Sequence, residues 1–216
     1  MLALYGYPFS SYTWKALIAL YANGTPFEFR ELGAEHPEHG ELVAAAGPSG
    51  QFPVLTDGAA TVFEATSIIE HLQLNHPGPA PLLPANPAEA NRTRMLDRVF
   101  DLHVMAPVQE LVGEAIRAGG QPDPAVRARI EARLDRAYRW IEGWLADYPQ
   151  PSHITLIECA AAPSLFYADW VYGIPPELLR LKSWRADLLA LPAVKRCVDD
   201  ARPYRHFFPL GAPDRD

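Results

Sequence analysis

The sequence predicts an α/β domain of element order β-α-β-α-β-β-α followed by an all-helical domain. Three observations lead there. Short extended runs alternate with short helical ones as far as residue 76. The stretch HPGPAPLLPANP then interrupts the chain, because its prolines cannot continue a helix. Beyond it, the apolar positions keep a helical period almost to the C-terminus. The expected units are residues 1–76, a semi-rigid proline-rich linker over 77–88, and a helical unit with a C-terminal tail over 89–216.

Each element has its own signal. Leu2 to Tyr7 is apolar, β-prone and closed by Pro8. Trp14, Leu17, Ile18 and Tyr21 mark one face of an amphipathic helix that stops at Asn23-Gly24. Phe27 and Phe29 alternate with Glu28 and Arg30, a strand pattern, and Glu38 to Ala46 reads as a weak helix ending at Gly47-Pro48. Phe52-Pro53-Val54-Leu55 and Thr61-Val62-Phe63 flank Asp57-Gly58, a hairpin signal, and Ile68, His71 and Leu72 open another helix. In the second unit, an apolar face runs from Leu96 through Val99/Phe100, His103/Val104, Pro107/Val108 and Leu111/Val112 to Ala115/Ile116, with a kink expected at Pro107. A further helix covers Val126 to Trp144. Thr155 and Glu158 have capping-box spacing and open the most apolar helix, Leu156 to Val171, expected at the centre of the second unit.

Composition narrows the function. Apolar residues make up 49% and charged residues 21% of 216, which fits a folded, water-soluble protein. A net charge of −7 argues against nucleic acid as a partner. The longest stretch without Asp, Glu, Lys or Arg, His71 to Ala88, carries five prolines and is not expected to span a membrane. The N-terminus has no basic region ahead of its apolar residues, so no signal peptide is expected. Two cysteines, Cys159 and Cys197, are too few for a disulfide framework; both read as buried thiols of a cytoplasmic protein.

Three places suggest chemistry. Ser10 and Ser11 stand where the first strand gives way to the first helix, and a helix N-terminus favours an anion or thiolate; the plainer role of either serine is to cap that helix. Gln51-Phe52-Pro53 precedes a strand, where an exposed edge pairs with an extended peptide and the proline suits an edge or a cis turn. Glu64, followed by Ala65-Thr66-Ser67, would hold an ammonium while the neighbouring N–H groups hold a carboxylate, or would simply complement the helix dipole. No metal is expected: His36-Pro-Glu-His39 reads as a solvated loop, and His71, His76, His103, His153 and His206 show no partner spacing. Gly47-Pro-Ser-Gly50 lacks the lysine and glycine spacing of a phosphate loop.

Taken together, LYGYPFSSYTWKALIALYANG, GPSGQFPVL and FEATSIIEHL resemble the N-terminal domain of cytosolic glutathione transferases, and ITLIECAAAPSLFYADW is similar to the capped central helix of their all-α domain. The resemblance runs from Leu2 to about Arg202, and the first segment looks particularly like the zeta class and related bacterial members. It implies a thioredoxin-like first domain, a homodimer, glutathione as co-substrate, and detoxification chemistry on a small hydrophobic electrophile. Carried over, Ser10 matches the serine that hydrogen-bonds the glutathione sulfur. Phe52 matches the residue whose backbone pairs with the cysteinyl moiety, Pro53 the cis-proline, and Glu64 the residue that holds the γ-glutamyl end; Ser11, Gln51 and Thr66 fall in the same glutathione-binding segments. Ala65 departs from the usual serine and removes a hydroxyl donor, with Thr66 as a possible substitute. Ser11 and the tyrosines Tyr5, Tyr7 and Tyr12 stay open as alternative thiol activators. The expected electrophile pocket comprises Phe9, Tyr12, Phe100, His103, Val104 and Pro107. Tyr12 and Thr13 replace the Cys-Ser of the zeta Ser-Ser-Cys-Ser motif, which weakens an isomerase assignment; isomerase, peroxidase and a non-catalytic binding or dimerisation module are the alternatives. The tail RPYRHFFPLGAPDRD would either fold over the second domain or close the pocket.

Overall fold

The computed structural model describes residues 1–216. In the first unit, β1 (Leu2–Gly6), β2 (Glu28–Glu31), β3 (Val54–Asp57) and β4 (Ala60–Phe63) form one sheet of order β2-β1-β3-β4. β1 runs parallel to β2, and β3 is antiparallel to both β1 and β4. The parallel pair requires a crossover, which α1 (Ser11–Ala22) supplies. Strand β1 is central and buried on both faces: Leu2 and Leu4 pack into the main core with Trp14 and Ile18, while Ala3 and Tyr5 pack with Val43 of α2 (Pro37–Ala46) and Val54. Helix α3 (Ala65–Asn75) closes the unit, completing a thioredoxin-like arrangement.

Helix α1 is less amphipathic than its sequence stripe suggests. Ser11, Thr13, Lys15, Ala16 and Ala19 are buried along with Trp14, Leu17, Ile18 and Leu20, because α1 lies between the sheet and the second unit's helices α7 (Leu156–Val171) and α9 (Pro192–Ala201). The second unit also contains α4 (Pro87–Val99), α5 (Ala106–Arg117), α6 (Pro124–Trp144) and α8 (Leu179–Ala190). In α7 every residue except Trp170 is buried. Its N-terminus carries the expected capping box: the Thr155 N–H donates to Glu158 Oε2 (2.8 Å) and the Ile157 N–H to Thr155 Oγ1 (3.2 Å). Cys159 and Cys197 are both buried, and burial pushes their thiols up. No helix is long and apolar enough to cross a membrane.

Two features differ from the sequence expectation. The stretch before Pro107 is a π-helical turn, Phe100–Met105, rather than a kinked α-helix. Pro107 has no N–H to donate to the His103 carbonyl and its ring would press on it, and the wider turn bonds the Ala106 N–H to Asp101 instead. The proline-rich connector, expected as a semi-rigid linker, also contributes to the core. Leu82 and Leu83 are buried in the core, Leu82 N–H donates to Gln73 Oε1 (2.7 Å), and its carbonyl accepts from Leu156 N–H (2.8 Å).

Candidate functional site

The site lies on the seam between the two units, at the C-terminal end of β1. A Cβ on Gly6 would come within 2.6 Å of Thr13 Cγ2, so glycine is what lets β1 meet the first turn of α1. The connecting loop is tied from both sides: Trp14 Nε1 donates to the Pro8 carbonyl (2.6 Å) and Tyr167 Oη, from α7, to the Phe9 carbonyl (3.0 Å). Ser10 is the N-cap of α1, and its Oγ accepts the Thr13 N–H at 3.3 Å. Capping uses the oxygen as acceptor and leaves the hydroxyl proton available, so a cap and a hydrogen-bond donor coexist in one side chain. Ser11 is buried and accepts from Gln109 Nε2 (3.4 Å).

Two cavities of unlike character meet here. The first, about 430 Å³, is bounded by Gln51, Phe52 and Pro53 on one side and by Glu64 through Ser67 on another, with Tyr12, Arg98 and Asp101 facing them. The Phe52–Pro53 peptide is cis, and Phe52 lies just beyond the β1–β3 ladder, whose register ends at Tyr5 and Val54. Glu64 is exposed and is the one non-glycine residue with a left-handed backbone (φ 68°), an arrangement costing about 1–3 kcal/mol and held where its side chain and the start of α3 share the cavity. The N–H groups of Ala65 and Thr66, in the first turn of α3, have no partners within the helix.

A buried charge cluster supports this wall. Lys15 Nζ, on a side chain 1% exposed, lies 2.5 Å from Asp97 Oδ1, 2.7 Å from Asp101 Oδ2 and 2.9 Å from Thr66 Oγ1. Thr66 in turn donates to Asp97 Oδ2 (2.9 Å), which Arg98 Nη1 also reaches at 2.5 Å. The Thr66 hydroxyl is therefore fully engaged inward and does not replace the hydroxyl missing at Ala65. Ser67, exposed at the cavity, is the nearest free one. Burial pushes the Asp101 carboxyl up against the opposing pull of Lys15. Burial, together with the negative Asp101, Glu64 and Asp97, pushes the Tyr12 phenol up to about 12. Tyr12 thus stays protonated at neutral pH.

The second cavity, about 320 Å³, is mostly apolar. Phe52 separates it from the first; Phe9, Met105, Val108 and Val112 line it, and Ser10, Ser11 and Gln109 bring its main polar groups. The C-terminal tail completes it. The 3₁₀ turn Arg202–Phe207 carries Tyr204 onto the first unit, where its Oη donates to Glu31 Oε1 (2.7 Å) and its ring meets Tyr7 edge-on. Phe207, Phe208 and Pro209 then close the wall.

The sequence-derived site residues separate into two groups. Ser10, Ser11, Gln51, Phe52, Pro53, Glu64, Ala65, Thr66, Phe9 and Tyr12 line one cavity or the other. Four expected pocket residues do not. Phe100, Val104 and Pro107 are core residues, and His103 faces outward beside Trp140. Met105, Val108 and Val112 line the cavity on the face next to the core residues Phe100, Val104, Leu111 and Ala115. Tyr5 is also removed from the site: it is buried on the other face of the sheet, where its Oη accepts from Arg30 Nη1 (2.8 Å). Arg98 and Asp101 were not anticipated. Their signal was Lys15 inside an apolar helix and the acids Asp97 and Asp101, four residues apart beside the long apolar stripe, charges that must find one another when buried. Two groups of histidines form that no sequence spacing announces. His36 and His39 gather around Glu38 at the start of α2, and His71 and His76 converge on Asp57, 14 and 19 residues away in sequence.

Residues 4–80 match the family model described as the glutathione S-transferase N-terminal domain. The chain is 30% identical over 139 residues to the uncharacterised GST-like protein YibF of Escherichia coli K12, covering 64% of this chain and 67% of that one. It is 26% identical over 217 residues to a maleylpyruvate isomerase of a Ralstonia species, covering 98% of each. Among solved structures, a glutathione S-transferase from Rhodospirillum rubrum F11 superposes with a TM-score of 0.78 at 24% identity, over 99% of this chain and 97% of the other, which shows a shared fold.

Proposed function

This chain belongs to the glutathione S-transferase family, and on that premise we propose that it binds reduced glutathione along the seam, ionises its thiol and directs the thiolate onto a small hydrophobic electrophile. The observation that carries the reading is the junction of the two cavities at Phe52, with the N-terminus of α1 beside it. The polar cavity suits the zwitterionic γ-glutamyl end. Its ammonium meets the Glu64 and Asp101 carboxylates, and its carboxylate meets the first N–H groups of α3 and the Arg98 guanidinium. The Phe52 main chain pairs with the cysteinyl unit, which places the sulfur near Ser10.

The chemistry then follows from charge. A thiol of pKa near 8.5 is only about 3% ionised at pH 7, and the thiolate is the nucleophile. Ser10 donates its free proton to the sulfur while accepting the Thr13 N–H, and the dipole of α1 adds partial positive charge. Lowering the thiol pKa by about two units corresponds to about 2.7 kcal/mol of preferential thiolate stabilisation. The sulfur lone pair forms a C–S bond with an electrophile in the second cavity, and the leaving group departs with its bonding electrons. Seating both reactants in adjoining cavities supplies proximity. Ser11, turned toward Gln109, is the reserve donor.

Isomerisation, the activity in the name of the Ralstonia relative, is the second reading. The second cavity has no lysine or arginine in its lining, which favours uncharged electrophiles over carboxylate-bearing ones. A homodimer accompanies the proposal: Phe52, Phe63 and Leu102 rim the first cavity while 37%, 37% and 54% exposed, and a second copy would cover that apolar rim. A cytoplasmic location is consistent with two buried free thiols. Calorimetric titration with reduced glutathione, paired with ultraviolet detection of bound thiolate, tests the reading. Saturable binding with a thiolate signal at neutral pH is expected. Absence of both refutes it in favour of a non-catalytic binding or dimerisation module.

A further inference from the structure

A cluster at the other end of the sheet has no part in that chemistry. Asp57 ends β3 at the hairpin turn, His71 projects from α3, and His76 caps the C-terminus of the same helix. In the sheet register Asp57 stands opposite Leu2, whereas Val54, next to Pro53, stands opposite Tyr5. Three strand residues, roughly 10 Å, therefore lie between the cluster and the seam. We propose that Asp57, His71 and His76 form a binding site for a divalent first-row metal ion, zinc in particular, that clasps the β3–β4 hairpin to the end of α3.

The geometry supports this in two ways. First, the donor atoms converge on one point: His71 Nε2 is 3.0 Å and His76 Nε2 2.6 Å from the same oxygen, Asp57 Oδ2, and the three lie within 4.8 Å of one another. Tetrahedral zinc with bonds of about 2.0–2.2 Å spaces its ligand atoms about 3.3–3.5 Å apart, so sub-ångström outward shifts admit the ion. Two imidazoles and one carboxylate are also a donor set that suits zinc and its neighbours.

Second, the convergence depends on how α3 ends. Residues five apart on a regular helix point about 140° away from each other. His76 has left helical geometry (φ −134°, ψ 55°), and this turns its ring back to within 6.1 Å of His71, centroid to centroid. Asn75 Nδ2 donates to the His71 carbonyl (3.1 Å) and lies 3.1 Å from His71 Nδ1, so the last turn of α3 holds the His71 ring from behind. The side chains of His71, Asp57 and His76 are 17%, 26% and 32% exposed, which leaves an entry path and an open fourth position for water.

The test uses the full-length, metal-stripped protein without glutathione, whose own thiol binds zinc. Calorimetric titration with zinc chloride is expected to show one ion per chain, and His76→Gln to weaken binding by about 100-fold or more. The exposed His36/Glu38/His39 group serves as the control: His36→Gln with His39→Gln is expected to leave the stoichiometry at one. Zinc at about 100 times its dissociation constant is expected to raise the melting temperature by about 5–10 °C in wild type and not in His76→Gln. Cobalt(II) bound to wild type provides a readout that does not depend on any variant folding; visible d–d bands without a thiolate charge-transfer band are expected. No saturable zinc binding up to about 0.1 mM, or an unchanged isotherm in His76→Gln, overturns the proposal. Because no readout involves glutathione, the result stands apart from the transferase reading.

Discussion

Replacing Lys15 with Met keeps the apolar stem of the side chain and removes only its charge. In the native protein that charge serves three partners at 2.5–2.9 Å, Asp97 and Asp101 from the helical unit and Thr66 from α3. Asp97 is completely buried. Removing one partner of a buried pair costs about 3–5 kcal/mol, because the remaining ion is left uncompensated. Asp97 would still hold Arg98 Nη1 and the Thr66 hydroxyl, which places the expected loss near about 3 kcal/mol, the lower end of that range. For a chain of this size that is a fall in melting temperature of about 6–12 °C. Differential scanning calorimetry of wild type, Lys15→Met, Asp97→Asn and the double variant forms a complete cycle, and the double variant is expected to recover more than half of the loss. Glutathione affinity should fall with stability in Lys15→Met, since Thr66 anchors the first turn of α3 at the polar cavity. A melting point within about 1 °C of wild type would refute the reasoning, because the cluster would then hold neither the wall nor the two units together.

Other substitutions separate roles that share an atom or a loop. Ser10→Ala removes both the cap and the donor, costing about 1 kcal/mol of stability, whereas Ser10→Gly costs only a few tenths. The glycine variant should therefore melt close to wild type yet raise the pKa of bound glutathione, read by thiolate absorbance against pH; an unchanged thiolate titration would move the donor role to Ser11. Ala65→Ser restores a hydroxyl that Thr66, occupied by Lys15 and Asp97, does not supply, and should tighten glutathione about tenfold by calorimetry. An unchanged affinity would mean Ser67 already fills that role. The Tyr204 phenol, which donates to Glu31, is pushed up to about 12, so its neutral form is favoured in the folded state. Its contribution should be complete below pH 10 and vanish as pH rises toward about 12. Chemical denaturation across that range should show a steeper loss in wild type than in Tyr204→Phe, in which Tyr12 and the two buried thiols still contribute; equal slopes would refute it.

The first unit was legible nearly element by element because its signals are local. Pro8, Asn23-Gly24, Gly47-Pro48 and Asp57-Gly58 each punctuate a short segment. The two contiguous segments of the polar cavity, Phe52-Pro53 and Glu64-Ala65-Thr66, stood out through the family resemblance, whereas Arg98 and Asp101, from the helical unit, did not. What escaped depends on distance or register. Lys15 reaches Asp101 across 86 residues, and His76 reaches Asp57 across 19, with no spacing rule to announce either. The pocket-lining positions of the long stripe were misassigned because the core face and the cavity face lie side by side on one helix: Val104 and Leu111 pack inward, while Met105 and Val112, one position on, line the cavity. The tail was undecidable from its own sequence, because Tyr204 is placed by Glu31, a partner on the first unit.

The wide turn at Phe100–Met105 also bears on how such a cavity changes over evolutionary time. Residues before, within and after that turn, Leu96, Phe100, Val104, Val108 and Leu111, pack into one core, so the turn sets both faces of the helix at once. Asp97, before the turn, and Asp101, within it, answer to Lys15; Met105, at its end, and Val108 and Val112, beyond it, line the apolar cavity. Deleting one residue within the turn would rotate everything after it by about 100° and present a different set of side chains to the cavity. The charged cluster that joins the two units would remain where it is. The same rotation would carry the buried Leu111 and Ala115 out of the core, so one turn fixes the cavity wall and the core register together.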